Sequence, residues 1–139
     1  MTYTPEQISQ IVLKVLKEIE TPDVLSLSYD EKLALAQNPN TSPESLQTLA
    51  TDENSDVRYW VATNPNTPAE VLQTLATDED SSVRCCVAEN PNTSSETLKT
   101  LATDEYSYVR WYVGRNTNAT ELIRRLVLMT DSQTLQKVS

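Results

Sequence analysis

The sequence predicts an all-α fold, a solenoid of stacked helix pairs, on three observations. The string Asn-Pro-Asn-Thr begins at Asn38, Asn64 and Asn90, which sets a period of 26 residues. Each period holds two stretches whose apolar residues recur at helical spacing. The chain of 139 residues has no Phe and one Gly, so it lacks the glycine-rich turns of a tightly turned β protein or of a phosphate-cradling loop.

The repeat is strict. Residues 38–63, 64–89 and 90–115 share Asn-Pro-Asn-Thr-x-x-Glu-x-Leu-x-Thr-Leu-Ala-Thr-Asp-Glu-x-Ser-x-Val-Arg-x-x-Val-x-x, with 16 positions fixed and 10 varying. An incomplete unit over 28–37 precedes them, with Leu35-Ala36-Gln37 where Val61-Ala62-Thr63 stands in the first full copy. Another, over 116–130, starts at Asn116 and reads as though one residue were deleted. These end units are expected to cap the array, because a stack of repeats leaves an open core at each end. Residues 131–139 read as a polar tail.

Within the middle copy, Thr67, Pro68 and Glu70 read as an N-cap, a first-turn proline and a capping-box glutamate, so a helix is expected to start there. Val71, Leu72, Leu75 and Ala76 supply its buried stripe, and it should stop near Thr77. Asp78-Glu79-Asp80 is a polar connector. Ser81 is the expected cap of a second helix whose stripe is Val83, Cys86 and Val87 and which Asn90-Pro91 ends. Only about two turns long, this second helix could include 3₁₀ segments. Leu46, Leu49, Leu72, Leu75, Leu98 and Leu101 should lie buried between repeats.

The run Val57-Arg58 through Asn64-Pro65, followed by Thr67-Pro68 through Ala76, resembles the leucine-rich repeat variant family. The resemblance extends over about residues 28–127 and implies a HEAT-like, right-handed superhelix of alternating helical segments. Some members of that family carry a cysteine-ligated iron–sulfur cluster in an N-terminal domain. Residues 1–27 contain no Cys, so the resemblance brings no cofactor to this chain, and none is expected.

Residues 1–27 form the N-terminal segment. Thr4-Pro5-Glu6-Gln7 is another capped start, and Ile8, Ile11, Val12, Val15, Leu16 and Ile19 make an apolar stripe expected to cover the open face of the first repeat. A short amphipathic helix of this form also resembles the encapsulation peptides that direct cargo into bacterial microcompartments, although the connector Thr21-Pro22-Asp23 is short for that use. Lys14 interrupts Ile11-Val12-Leu13, so the segment does not read as a signal peptide, and no stretch approaches the length of a spanning helix. With the adjacent Cys85 and Cys86 forming no spaced disulfide framework, a reducing, cytoplasmic setting is expected. A net charge of −9 disfavours general attraction to nucleic acid or anionic membrane.

Among the fixed polar residues, Asp52/Arg58, Asp78/Arg84 and Asp104/Arg110 recur six apart and are read as a structural ladder that sets repeat geometry. Asn38, Asn64 and Asn90 are read as turn closers. The varying positions of the second helices are spaced to share one face. That face reads Asp56, Tyr59, Trp60, Thr63, then Ser82, Cys85, Cys86, Glu89, then Tyr108, Trp111, Tyr112, Arg115. Tyr59, Trp60, Cys85, Tyr108, Trp111, Tyr112 and Arg115 are the candidate partner-binding residues, since Trp, Tyr and Arg dominate interface energetics. Trp60, Cys86 and Tyr112 are equally compatible with core positions. Tyr106 and Tyr108 beside Arg110, Arg115, Arg124 and Arg125 make the C-terminal end locally basic, suited to an acidic peptide or planar anion or else to cap packing.

The absence of His removes His-dependent triads and His-bearing zinc sites. Cys85-Cys86 beside Arg84 is the one reactive-looking pair, and both thiols are expected to be free and inert. The expected function is therefore non-catalytic binding of another protein, or of a second copy, through the aromatic face. Handling of a small molecule or chromophore is the alternative.

Overall fold

The computed structural model describes residues 2–20 and 23–138, and every regular element among them is helical. In chain order these are α1 (Pro5–Glu20), a 3₁₀ turn (Val24–Ser26), α2 (Tyr29–Gln37), α3 (Pro43–Leu49), α4 (Ser55–Thr63), α5 (Ala69–Leu75), α6 (Ser81–Glu89), α7 (Ser95–Leu101), α8 (Ser107–Arg115) and α9 (Glu121–Val138). The second helices α2, α4, α6 and α8 lie side by side in one continuous layer that α9 closes, while the first helices α3, α5 and α7 pack onto that layer.

Helices of seven and nine residues are too short to persist alone. Stacking stabilises them. Leu46, Leu49, Leu72, Leu75, Leu98 and Leu101 from the first helices meet Val57, Val61, Val83, Val87, Val109 and Val113 from the second, and all are excluded from solvent. The leucine expectation is met. The second helices are α-helical throughout, and the 3₁₀ turn among the described residues is Val24–Ser26, outside the repeats.

Two expected helix starts shift by one residue. Pro68, not Thr67, occupies the cap of α5, whereas Ser42 and Ser94 at the equivalent positions accept from the N–H of Ser45 and Thr97, each at 3.2 Å. Thr67 is buried, and its hydroxyl donates 2.6 Å back to the Val61 carbonyl. Thr41 does the same to Leu35, and Thr93 to Val87. The fixed threonine thus ties a turn to the preceding helix. Asp80, not Ser81, caps α6 by accepting from the Ser82 N–H at 2.8 Å.

Nothing is deleted at the C-terminal end. Thr120 accepts from the Ile123 N–H in the register in which Ser94 accepts from Thr97, so the period of 26 continues into the last unit. The expected polar tail is instead the end of α9, which runs to Val138. At the other end, Ile8, Ile11 and Val12 of α1 are about half exposed, so this part of the stripe is not covered by the first repeat. The side chains of Val15, Leu16 and Ile19, and the residues Thr21 and Pro22 of the connector, lie outside what is described.

Candidate interaction surface

The fixed polar residues are consumed in holding repeat to repeat. Arg58 donates from Nε to Asp78 Oδ2 at 2.7 Å and from Nη2 to Oδ1 at 3.1 Å, while its Nη1 donates to the Asp52 and Glu53 carbonyls. Arg84 repeats this toward Asp104 and the carbonyls of Asp78 and Glu79. Each Arg therefore reaches the carboxylate 20 residues ahead and only the main chain of the Asp six behind. Such bidentate, charge-assisted contacts define orientation as well as attraction. Burial lowers the pKa of Arg58 and Arg84, but the hydrogen-bonded carboxylate is the larger influence and holds both guanidinium groups above their ordinary value.

A second ladder runs through asparagine. Asn64 Nδ2 donates to the Ala36 and Asn38 carbonyls, Asn90 to Ala62 and Asn64, and Asn116 to Ala88 and Asn90. Each of these side chains also accepts from the N–H two residues on, so the expected turn closure is present, with a bond across repeats added to it. Asn66, Asn92 and Asn118 add further bonds to carbonyls of the preceding repeat.

Substitutes close the Asp–Arg ladder at both ends and the asparagine ladder at its C-terminal end. Lys32, in the position of the repeat Arg, donates to Asp52 at 2.7 Å. At the other end α9 supplies Asp131 as acceptor for Arg110 at 2.6 Å. Its Arg124 donates to the Gly114 and Asn116 carbonyls, the groups a further repeat's asparagine would take. The basic cluster anticipated at this end is consequently smaller than its composition. Arg110 is 3% exposed, Arg124 is engaged with the main chain, and Arg125 lies 3.6 Å from Glu121. Arg115 is the exposed guanidinium with no carboxylate within ion-pair reach among the described residues. It lies over the Trp111 ring, 4.7 Å from the centroid.

The variable positions share one side of the second-helix layer but differ in depth. Tyr108 and Trp111 are 74% and 53% exposed, and Arg115 is exposed. Tyr59, Trp60, Cys85 and Tyr112 are half-buried against the core, and Cys86 is buried. The expected exposure of Tyr59 and Cys85 is thus only partial, because α4 and α6 lie close enough for Tyr59 to reach the Cys86 thiol. Rings pair edge to face within each aromatic helix, Tyr59 with Trp60 at 5.3 Å and Trp111 with Tyr112 at 4.9 Å. Between these aromatic rows the small side chains Ser82 and Cys85 floor a cup whose walls include Tyr59, Tyr106, Tyr108 and Tyr112.

The family model described as Leucine Rich Repeat Variant domain matches residues 30–89, and that described as Leucine rich repeat variant matches residues 82–105. Residues 30–105 therefore carry repeats of the leucine-rich repeat variant family. Neither the curated proteins nor the solved structures offer a match. Among the described residues no helix is long and apolar enough to cross a membrane.

Both cysteines are free. Burial pushes each thiol pKa up, and for Cys85 the neighbouring Cys86 and Asp104 add to this and outweigh the opposing influence of Arg84. The adjacent Arg84 guanidinium is directed at Asp104, not at either thiol. Sequence reasoning missed the structural roles of Thr67, read there as a cap, and of Asn66, Lys32, Arg124 and Asp131. The signal for the first two was their recurrence at fixed repeat positions. Lys32 was identifiable as the residue 26 before Arg58. Arg124 and Asp131 carry no such signal, since α9 supplies them from a helix that departs from the repeat pattern.

Proposed function

We propose that this protein is a non-catalytic, cytoplasmic interaction module that binds a protein partner through the variable aromatic face of α4, α6 and α8. One observation carries the reading: residues identical among copies spend their polar groups on neighbouring repeats, whereas Tyr108, Trp111 and Arg115, at varying positions, present theirs to solvent. Large aromatic groups gathered on one side of a soluble protein mark a contact surface. Trp, Tyr and Arg are also the side chains over-represented at binding hot spots. The layer of second helices is a rigid platform for them, because each helix is locked to the next.

The test is affinity capture from the source cell with the intact chain and with a Tyr59→Ala/Trp111→Ala variant, both verified as folded by their melting temperatures. A specific protein retained by the first and lost by the second is the expected result. Equal capture by both overturns the reading. The cup over Ser82 and Cys85 favours one second reading, handling of a planar small molecule between tyrosine walls. A coloured or low-mass eluate in place of a protein would select it.

A further inference from the structure

Resting on the reading of this face as a protein-binding surface, we propose that the cup over α6 is an aromatic cage for a cationic side chain of the partner, a lysine, held best when its nitrogen is methylated. Four of the six tyrosines in the chain, Tyr59, Tyr106, Tyr108 and Tyr112, line this one cup, and Glu89 lines it with them. A tyrosine ring is negative on its face, so several around one hollow attract a cation. A quaternary ammonium suits such walls best, since its methyl groups need no hydrogen-bond acceptors. The hollow exists because the middle copy is small where its neighbour is large: Ser82 and Cys85 stand where α8 has Tyr108 and Trp111. Its volume of about 320 Å³ is at the low end for ligand sites, which suits the head of one side chain.

Tyr106 supplies a second, independent observation. At the same repeat position Asn54 and Asp80 cap α4 and α6, each accepting from the N–H two residues on. Tyr106 stands at the cap of α8 with no side-chain hydrogen bond to offer. The third copy thus forgoes a stabilising cap and gains a half-exposed ring in the wall of the cup. A local rule broken at a solvent-facing position marks a residue with another use. The Arg84 guanidinium lies 5.5 Å from the centroid of the same ring, and because Asp104 matches its charge, it adds no net positive charge beside the cup.

Charge points the same way. Glu89 is exposed and has no cation within ion-pair reach among the described residues. Arg115, at the equivalent position of α8, lies over Trp111, which is not part of the wall. Glu89 and Asp80 both push the Cys86 thiol pKa up, so the floor of the cup lies in negative potential. Over 23–104 the chain has fourteen acidic and four basic residues, so the approach to the cup favours a basic segment of a partner.

The experiment follows the amide chemical shifts of the full chain during titration with blocked glycine pentapeptides whose central residue is trimethyl-lysine, lysine or acetyl-lysine, and with tetramethylammonium chloride at matched ionic strength. Saturable shifts around Cys85 and Tyr108 are expected with the first two, trimethyl-lysine binding about threefold or more tighter than lysine. Acetyl-lysine, which has the stem without the charge, should not saturate. Tetramethylammonium, which has the charge without the stem, should bind about tenfold more weakly than trimethyl-lysine. Tyr106→Asn restores the cap residue of the first copy, and Tyr108→Leu changes a position that is 74% exposed, so both should keep the fold in a thermal melt. Each should weaken trimethyl-lysine binding about fivefold or more, whereas Tyr108→Phe should bind as the wild type does. Glu89→Gln should lower affinity about threefold and flatten its salt dependence. Acetyl-lysine bound as tightly as trimethyl-lysine, binding indifferent to both Tyr106→Asn and Tyr108→Leu, tetramethylammonium bound as tightly as the peptide, or no saturable binding by any peptide each overturns the cage. Failure of the broader reading is distinguishable. If Trp111→Ala loses a captured protein that Tyr106→Asn and Tyr108→Leu retain, only the cage is excluded; if none of the three changes capture, the face itself is excluded.

Discussion

The two sides of α6 make the most instructive comparison in the molecule. On one, Arg84 enters a pocket formed by the next repeat's Asp104 and its own repeat's carbonyls, and in all three copies the residue is Arg. On the other, Cys85 and Glu89 stand where the neighbouring copies have Tyr59 and Thr63, or Trp111 and Arg115. Same helix, same backbone geometry, opposite tolerance. A side chain whose donors must meet acceptors in another repeat can take only one form if every repeat is to stack with the same offset. A side chain that meets solvent has no such condition. The identity of Arg58 and Arg84 therefore reports a contact that every repeat must make, a condition that the exposed varying positions of Tyr108, Trp111 and Arg115 do not carry.

Breaking the fixed side should produce the largest effects. Arg84→Ala leaves the Asp104 carboxylate, largely buried, without its guanidinium, and deprives the Asp78 and Glu79 carbonyls of a donor. Removing one partner of a buried pair costs about 3–5 kcal/mol, read as a lower midpoint in urea unfolding. Leu75→Ala should follow closely. The side chain is 2% exposed between repeats, and truncation there costs about 2–5 kcal/mol, the range set by how far the cavity collapses. A melting temperature unchanged by Leu75→Ala would be incompatible with the stacked arrangement. Asn90→Ala comes third. It removes the bonds to the Ala62 and Asn64 carbonyls and the acceptor for the Asn92 N–H, and unsatisfied buried groups of this kind cost about 1–3 kcal/mol in the same unfolding measurement.

These contrasts also explain what the sequence disclosed and what it withheld. Helix positions, the leucine and valine core and the period were readable because they depend on local spacing and on recurrence. The partner of each Arg was half-readable. Six residues separate Arg84 from Asp78, a spacing that suggests a pair within the repeat, yet it is Asp104, in the next repeat, whose carboxylate it grips. Sequence distance cannot state the offset between stacked repeats. Thr67 was misread as a cap for a related reason. Its hydroxyl satisfies a carbonyl on the preceding helix, a demand visible only once the turn is folded. The candidate face was legible as a set of varying positions at helical spacing, but the depth of Tyr59 and Cys85 depends on how closely α4 and α6 approach, and no periodicity encodes that.

The smallest expected effect on stability belongs to Trp111→Ala, and it decides what the variable side is for. The ring is 53% exposed, contacts Tyr112 edge-on and lies beneath the Arg115 guanidinium, so the folded chain loses a ring contact and a cation–π contact at the surface and little core. Exposed substitutions without a buried partner usually change stability by no more than about 0.5 kcal/mol, and these two contacts, each worth about 1 kcal/mol at a solvent-facing site, bound the loss. Binding should respond differently. If Trp111 anchors the partner, its removal weakens affinity by about 2 kcal/mol or more, roughly thirtyfold. A thermal melt and a binding isotherm on the same preparation therefore separate the two roles. A small change in the melt with a large change in affinity is the outcome that the contrast between fixed and variable positions requires. The reverse, a large drop in melting temperature with affinity intact, would make Trp111 a core residue and leave the variation around α4, α6 and α8 without a functional meaning.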